Sequence, residues 1–68
     1  MAVRFLPADD PVLEDVLTWT VERDSNDIRR LLEWLPQARS SKERRALLSR
    51  VHELLSEVEL SLDGLDAM

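Results

Sequence analysis

The residues of this sequence that could carry chemistry are one histidine, a group of carboxylates and an arginine-rich stretch. His52 and Glu53 are adjacent, so they point away from each other on a helix and do not form an oriented acid-base pair. Glu53, Glu57 and Glu59 lack the spacing of a calcium loop. One His, no Cys and one Gly exclude a multi-histidine or thiolate metal cage and a glycine-rich phosphate loop. We therefore expect no enzymatic activity, no cofactor, no metal site and no small-molecule substrate.

The basic residues are concentrated in one segment of an acidic chain. Residues 29–50 carry seven basic side chains against two acidic ones, a net charge of +5, whereas residues 1–28 and 51–68 are each −5. The seven are Arg29, Arg30, Arg39, Lys42, Arg44, Arg45 and Arg50. A basic patch can bind nucleic acid, but the whole chain has a net charge of −5 and a pI near 4.7, whereas nucleic-acid-binding domains are typically basic.

A helical pattern of apolar residues in the last third of the chain is the clearest structural signal. Its members recur at alternating spacings of three and four, the a/d pattern of a helix that packs along a seam: Leu48, Val51, Leu55, Val58, Leu62 and Leu65. Leu47 and Leu54 lie beside this seam and widen it. Such a helix requires a partner, either in its own chain or on another chain.

Start and stop signals predict three helices within a single domain, residues 1–68, after an N-terminal arm over residues 1–9. Asp10 and Pro11 begin a helix over residues 10–24, the polar residues 24–26 break it, and a second helix over residues 26–35 ends at Pro36. Ser40 and Glu43 form a capping box at the start of a helix over residues 40–63. Gly64 is expected to adopt the left-handed conformation that ends it, before a frayed tail over residues 64–68.

The predicted fold is therefore all-α: a small three-helix bundle or a helical hairpin, with a long C-terminal amphipathic helix and a short extended arm at Val3 to Leu6. A 68-residue chain supplies little core and has no disulfide, which favours association with a second subunit. No apolar run approaches the length of a membrane span, and the first residues do not resemble a signal peptide, so a cytoplasmic location is expected.

The charge segregation has two interpretations. In an up-down-up bundle, the acidic start of the first helix would lie beside the basic start of the third, and Arg29 and Arg30 beside its acidic end. Alternatively, two copies of the third helix could pack antiparallel, with the basic end of each against the acidic end of the other. Both arrangements would compensate charges that oppose the helix dipole.

The sequence thus predicts a small non-enzymatic protein-protein interaction module, such as a subunit, adaptor, inhibitor or antitoxin-like partner, with a homodimer as one form. The expected partner-binding residues are Leu48, Val51, Leu55, Val58, Leu62, Trp34, Arg44 and Arg45. Both tryptophans are expected to anchor packing, with Trp34 the more exposed.

The alternative is a DNA- or RNA-binding regulator that uses the segment from Arg29 to Arg50. The second helix, the loop and the start of the third resemble a helix-turn-helix in outline. An extended Val3 to Leu6 followed by two helices, with Ser25 to Arg30 at a helix start, resembles a ribbon-helix-helix repressor. That resemblance covers about half of the chain and implies a third helix that binds a protein partner.

Overall fold

Two long helices joined by a short turn make up the part of the chain that the structure, a computed structural model, describes, namely residues 11–67. Helix α1 spans Pro11–Trp34, a 3₁₀ turn follows at Leu35–Gln37, and helix α2 spans Ser41–Asp66. The prediction of an all-α protein is confirmed for residues 11–67, which contain no strand. The predicted arm, the extended segment Val3 to Leu6 and the Asp10 cap lie outside these residues.

The predicted break between a first and a second helix is wrong, because α1 runs through residues 24–26 without interruption. Asp, Ser and Asn cost only a few tenths of a kcal/mol each in a helix interior, so a tertiary contact easily outweighs them. Leu17 packs against Gly64 before this stretch and Leu31 lies with Leu54 after it, and Asp24 itself is fully buried. Asp24 follows Leu17 by seven residues and precedes Ile28 by four, so the inward-facing stripe of α1 continues through the polar stretch.

The connection between the helices follows its sequence signals closely. Helix α1 ends at Trp34, and Pro36 lies in the 3₁₀ turn that follows. Proline disfavours the helical conformation in the residue before it, which predicts a helix end here. Ser40 is the N-cap of α2, and its Oγ accepts a hydrogen bond from Glu43 N at 3.1 Å. The Glu43 carboxylate reaches back one residue further than expected, because it accepts from Arg39 N at 2.7 Å. The capping box therefore also holds the last loop residue.

Helix α2 extends beyond its predicted end at residue 63. Gly64 is helical, and no residue from 11 to 67 has a positive φ, so the predicted left-handed cap is wrong. The glycine has a packing reason instead. A Cβ placed on Gly64 would lie 2.9 Å from Leu17 Cδ1, closer than real carbon atoms approach. The absence of a side chain lets Leu17 of α1 lie against the backbone of α2, and residues 64–66 form a last helical turn rather than a frayed tail.

The helices are antiparallel, and their core is thin. Leu17 lies beside Gly64, Arg23 pairs with Glu57, and Leu31 shares a pocket with Leu54, so positions along α1 rise as positions along α2 fall. Val51 and Leu54 are the buried apolar residues among those described. The row of α2 against α1 is completed by buried or half-buried residues at helical spacing: Leu47, Val58, Ser61 and Leu65.

Candidate docking surface

One long edge of the hairpin exposes a stripe of large apolar side chains. Leu48, Leu55 and Leu62 of α2 are 40%, 43% and 44% exposed, and Leu32 of α1 is 48% exposed. We call these four residues the leucine edge. The three leucines of α2 are seven residues apart, two turns of helix, so they form a straight row along α2. A monomeric helix pair therefore leaves a continuous apolar strip in water.

The position of the leucine edge follows from the contacts on the other side of the hairpin. Arg23 of α1 and Glu57 of α2 meet along one edge, where Arg23 Nη2 lies 2.8 Å from Glu57 Oε1. A helix turns by about 100° per residue, so Leu55 lies about 160° around α2 from Glu57. The same rotation places Leu32 about 180° around α1 from Arg23. The leucine edge and the Arg23–Glu57 edge are therefore opposite sides of the hairpin.

The opposite edge is built around a buried carboxylate. Asp24 Oδ1 accepts from Arg23 Nε at 3.1 Å and lies 3.1 Å from Arg23 Nη2. Asp24 Oδ2 is buried and has no hydrogen-bond partner within residues 11–67. The Arg23 guanidinium also lies over the Trp19 ring, 4.9 Å from its centroid. Arg23 thus contacts Trp19, Asp24 and Glu57, and its pairing with Glu57 joins the two helices near the middle of the hairpin.

A small open pocket lies further along the Arg23–Glu57 edge, toward the turn. It has a volume of about 160 Å³ and is lined by Asp27, Arg30, Leu31, Trp34, Arg50 and Leu54. Arg50 is held by Glu53, with Nη1 3.0 Å from Oε2. The expectation that Trp19 anchors packing is wrong, because it is 57% exposed. Trp34 is partly exposed as expected, at 53%, but it is not the more exposed of the two tryptophans. Trp34 lines the pocket with its exposed face, on the edge opposite to the leucines.

The hairpin gathers like charges at each end. Residues 29–50, net +5, form the half nearest the turn, whereas residues 11–28 and 51–67, with ten acidic residues and one basic residue, form the other half. Since α1 is continuous, Arg29 and Arg30 lie toward the basic start of α2 and not toward its acidic end. The intramolecular compensation expected for a three-helix bundle is therefore wrong, and most of these charges lie at the surface.

The structure does not bring the predicted partner-binding residues together on one surface, since Trp34 lines the pocket on the Arg23–Glu57 edge. Leu48, Leu55 and Leu62 lie together on the leucine edge, but Val51 is 7% exposed and belongs to the core against α1, where Val58 is also half-buried. The alternating spacing places both valines in one row with the exposed leucines, because the buried row and the exposed row of α2 are adjacent. Arg44 and Arg45 are exposed near the start of α2, and their role in a charged rim stays a prediction. His52 is also exposed.

Two residues with a role in this arrangement escaped prediction. Leu32 has the spacing of an inward-facing apolar residue, four after Ile28, yet it lies on the exposed leucine edge. Asp24 was assigned to a polar break, although it is the most buried side chain of the residues described. A sequence signal for Asp24 exists, since it continues the three- and four-residue spacing set by Leu17, Ile28 and Leu31.

No protein-family model, curated protein or solved structure matches this chain. Within residues 11–67, no group of three or more His, Asp or Glu side chains is arranged to hold a metal ion. Neither described helix combines the length and the apolar character needed to cross a bilayer. The leucine edge is therefore interpreted from its own chemistry alone.

Proposed function

We propose that this protein is a small non-enzymatic interaction module that binds another protein through the leucine edge. The observation that carries the proposal is the exposure of Leu48, Leu55 and Leu62 in a helix whose adjacent row is already packed against α1. Surfaces of this kind, apolar at the centre and charged at the rim, are typical of protein interfaces. An amphipathic helix pair binds other helices by the same packing that joins its own two helices.

Size supports the same function. The two described helices contain two buried apolar residues and so bury little surface, and chains of this size commonly gain stability from a second subunit. Covering the leucine edge would remove four half-exposed leucines from water, and each fully buried leucine stabilises by about 1.5–3 kcal/mol relative to the exposed state. Binding would thus add the leucine edge to the small apolar core of the hairpin.

A pair of matched aspartate variants tests this function. Leu55→Asp places a charge in the middle of the leucine edge, whereas Leu60→Asp makes the same change at a 71%-exposed leucine on another face of α2. We expect affinity capture from native lysate with the tagged full chain to retain a protein with wild type and Leu60→Asp and to lose it with Leu55→Asp. Circular dichroism verifies that each variant is helical, and Leu55→Ala provides a milder variant that preserves helix propensity. Equal capture by all four proteins would contradict the proposal.

A second function, binding to DNA or RNA, is favoured by one observation: the half of the hairpin nearest the turn, residues 29–50, carries seven basic residues and a net charge of +5. Nuclease treatment and salt separate the two functions. Phosphate contacts release counterions, so that affinity would fall steeply between 50 and 200 mM salt, and Arg44→Ala with Arg45→Ala would abolish binding. An apolar interface responds weakly to salt, and the same double variant would only reduce its affinity.

A cytoplasmic location remains a prediction from the sequence.

A further inference from the structure

We infer that the partner on the leucine edge is a second copy of this chain, bound antiparallel, so that two hairpins form a four-helix bundle. The inference rests on the proposed function and names the partner of the same surface. Its two supports are the register of the leucines along α2 and the distribution of charge along the hairpin. Each is independent of the other.

The leucine row has the symmetry that an antiparallel pair requires. Leu55 lies seven residues after Leu48 and seven before Leu62, close to the middle of α2. A two-fold axis at Leu55 places that residue against its own copy and Leu48 against the partner's Leu62, and the reverse contact follows from the symmetry. In this register residues 44–66 of one α2 overlap residues 66–44 of the other. Nearly the whole of both helices is then in contact.

The same register pairs opposite charges at both ends of the row. Arg44 precedes Leu48 by four residues and Asp66 follows Leu62 by four, so both lie near the side of α2 that carries the leucines. The two-fold axis at Leu55 brings Arg44 opposite the partner's Asp66. Within residues 11–67, Arg44 donates to Ser41 Oγ and neither Arg44 nor Asp66 forms an ion pair.

Charge along the whole hairpin selects the antiparallel orientation over the parallel one. In an antiparallel pair the turn-proximal half, net +5, lies beside the acidic half of the other copy. A parallel pair would place the two basic halves side by side and the two acidic halves side by side. Like charges across an interface disfavour the wrong arrangement, and complementary potentials set the orientation.

The mass of the full-length chain in solution is the first measurement. Sedimentation equilibrium is expected to give twice the 7.9 kDa of one chain at high concentration and to show reversible dissociation on dilution. Orientation is tested by mixing Arg44→Cys and Asp66→Cys chains in a glutathione redox buffer, since the natural sequence has no cysteine. The antiparallel pair predicts the mixed disulfide as the main product, whereas a parallel pair would give mainly the two disulfides between identical variants.

Charge reversal tests the interface without altering the core. Arg44→Asp is expected to raise the dimer Kd about tenfold, because the symmetry repeats the new repulsion from Asp66 at both ends. Adding Asp66→Arg to the same chain should restore the wild-type Kd. Lys42→Asp is the matched control: it makes the same charge change, but lies about 160° around α2 from Arg44 and should leave Kd unchanged. Arg44→Asp and Lys42→Asp each place an acid near the N-terminus of α2, where the helix dipole favours it, so they do not weaken the helix.

The outcomes separate this inference from the function on which it rests. A chain that stays monomeric, or a charge-reversed double variant that is not restored, overturns the antiparallel self-association. If a monomeric chain still captures another protein in a manner sensitive to Leu55→Asp, the docking edge stands and only its occupant is wrong. If that capture is absent as well, both the inference and the proposed function fail.

Discussion

At the scale of single residues, Asp24 is the least expected feature of the protein. Its side chain is fully buried between two helices, one carboxylate oxygen is bonded to Arg23, and the other has no partner within the residues described. Burial of a polar atom without a hydrogen bond costs about 1–3 kcal/mol, and more for a charged group. The protein thus retains a residue at its centre that lowers its stability and fixes Arg23 in place.

Replacement of this carboxylate by an apolar side chain should stabilise the hairpin. We expect Asp24→Leu to raise the free energy of unfolding by about 1 kcal/mol or more, because buried ion pairs are often worth less than apolar packing of similar volume. Asp15→Leu, at an exposed position of the same helix, controls for the lost charge and the added leucine. Urea unfolding followed by circular dichroism measures both. A loss of stability in Asp24→Leu would show that the carboxylate makes a favourable interaction beyond Arg23.

Two adjacent leucines should respond very differently to truncation. Leu54 is 2% exposed and Leu55 is 43% exposed. At low chain concentration, Leu54→Ala should lower the free energy of unfolding by about 2–4 kcal/mol, the usual cost of a core cavity, and Leu55→Ala by about 0.5 kcal/mol. Thermal and urea unfolding check this difference. Similar losses for the two variants would mean that Leu55 is part of the folded core.

The same pair shows where sequence reasoning reaches its limit. The apolar spacing correctly predicts that this segment is an amphipathic helix. It does not distinguish the row 47, 51, 54, 58 from the row 48, 51, 55, 58, since both rows are apolar at each position. Only the direction in which α1 lies decides between them, and that depends on contacts such as Leu17 with Gly64 that are distant in sequence.

At the scale of helices and turns, local chemistry predicted some boundaries and tertiary packing set the others. Pro36 and the Ser40–Glu43 box act on their immediate neighbours, and the structure has both features where the sequence placed them. The polar stretch 24–26 and Gly64 resemble a helix break and a helix cap by composition, but each occurs where one helix packs against the other. That each helix continues through these two positions could not be predicted without knowing how the helices pack against each other.

A side chain at Gly64 should separate the ends of the two helices. We expect Gly64→Leu to lower the free energy of unfolding by about 1 kcal/mol or more, because the overpacking cost exceeds the gain in helix propensity. Leu17→Ala in the same chain should recover part of that loss by opening space, which a double-mutant cycle measures. Additive effects of the two substitutions would contradict the close approach of Leu17 to position 64, where an added Cβ would lie 2.9 Å from Leu17 Cδ1.

At the scale of the whole molecule, the hairpin combines a thin core with an uneven charge distribution. The half nearest the turn is basic and the remainder is strongly acidic, so each half keeps a net charge despite pairs such as Arg23 with Glu57. The leucine edge leaves apolar surface in water along the same length. Both features are unfavourable in an isolated hairpin, and the proposed antiparallel pairing with a second copy would relieve both.

Stability should therefore depend on chain concentration. If the dimer is the stable form, the midpoint of thermal unfolding rises with total chain concentration by mass action. Thermal melts monitored by circular dichroism over a hundredfold range of concentration check this, with Leu48→Asp as the comparison. The variant should melt lower and at a midpoint that does not change with concentration. A constant midpoint for the wild type would indicate that the hairpin is stable as a monomer.

The short connection at residues 35–40 also has a consequence for how the chain folds. Contacts beside the turn close small loops, whereas the Leu17–Gly64 contact joins residues 47 positions apart. Loop closure becomes entropically more costly with length, so we expect the helices to zip together from the turn toward the open end. Substitutions near Leu31 and Leu54 should then slow folding, and those at Gly64 should mainly speed unfolding. The capping box at Ser40 lies where that process begins.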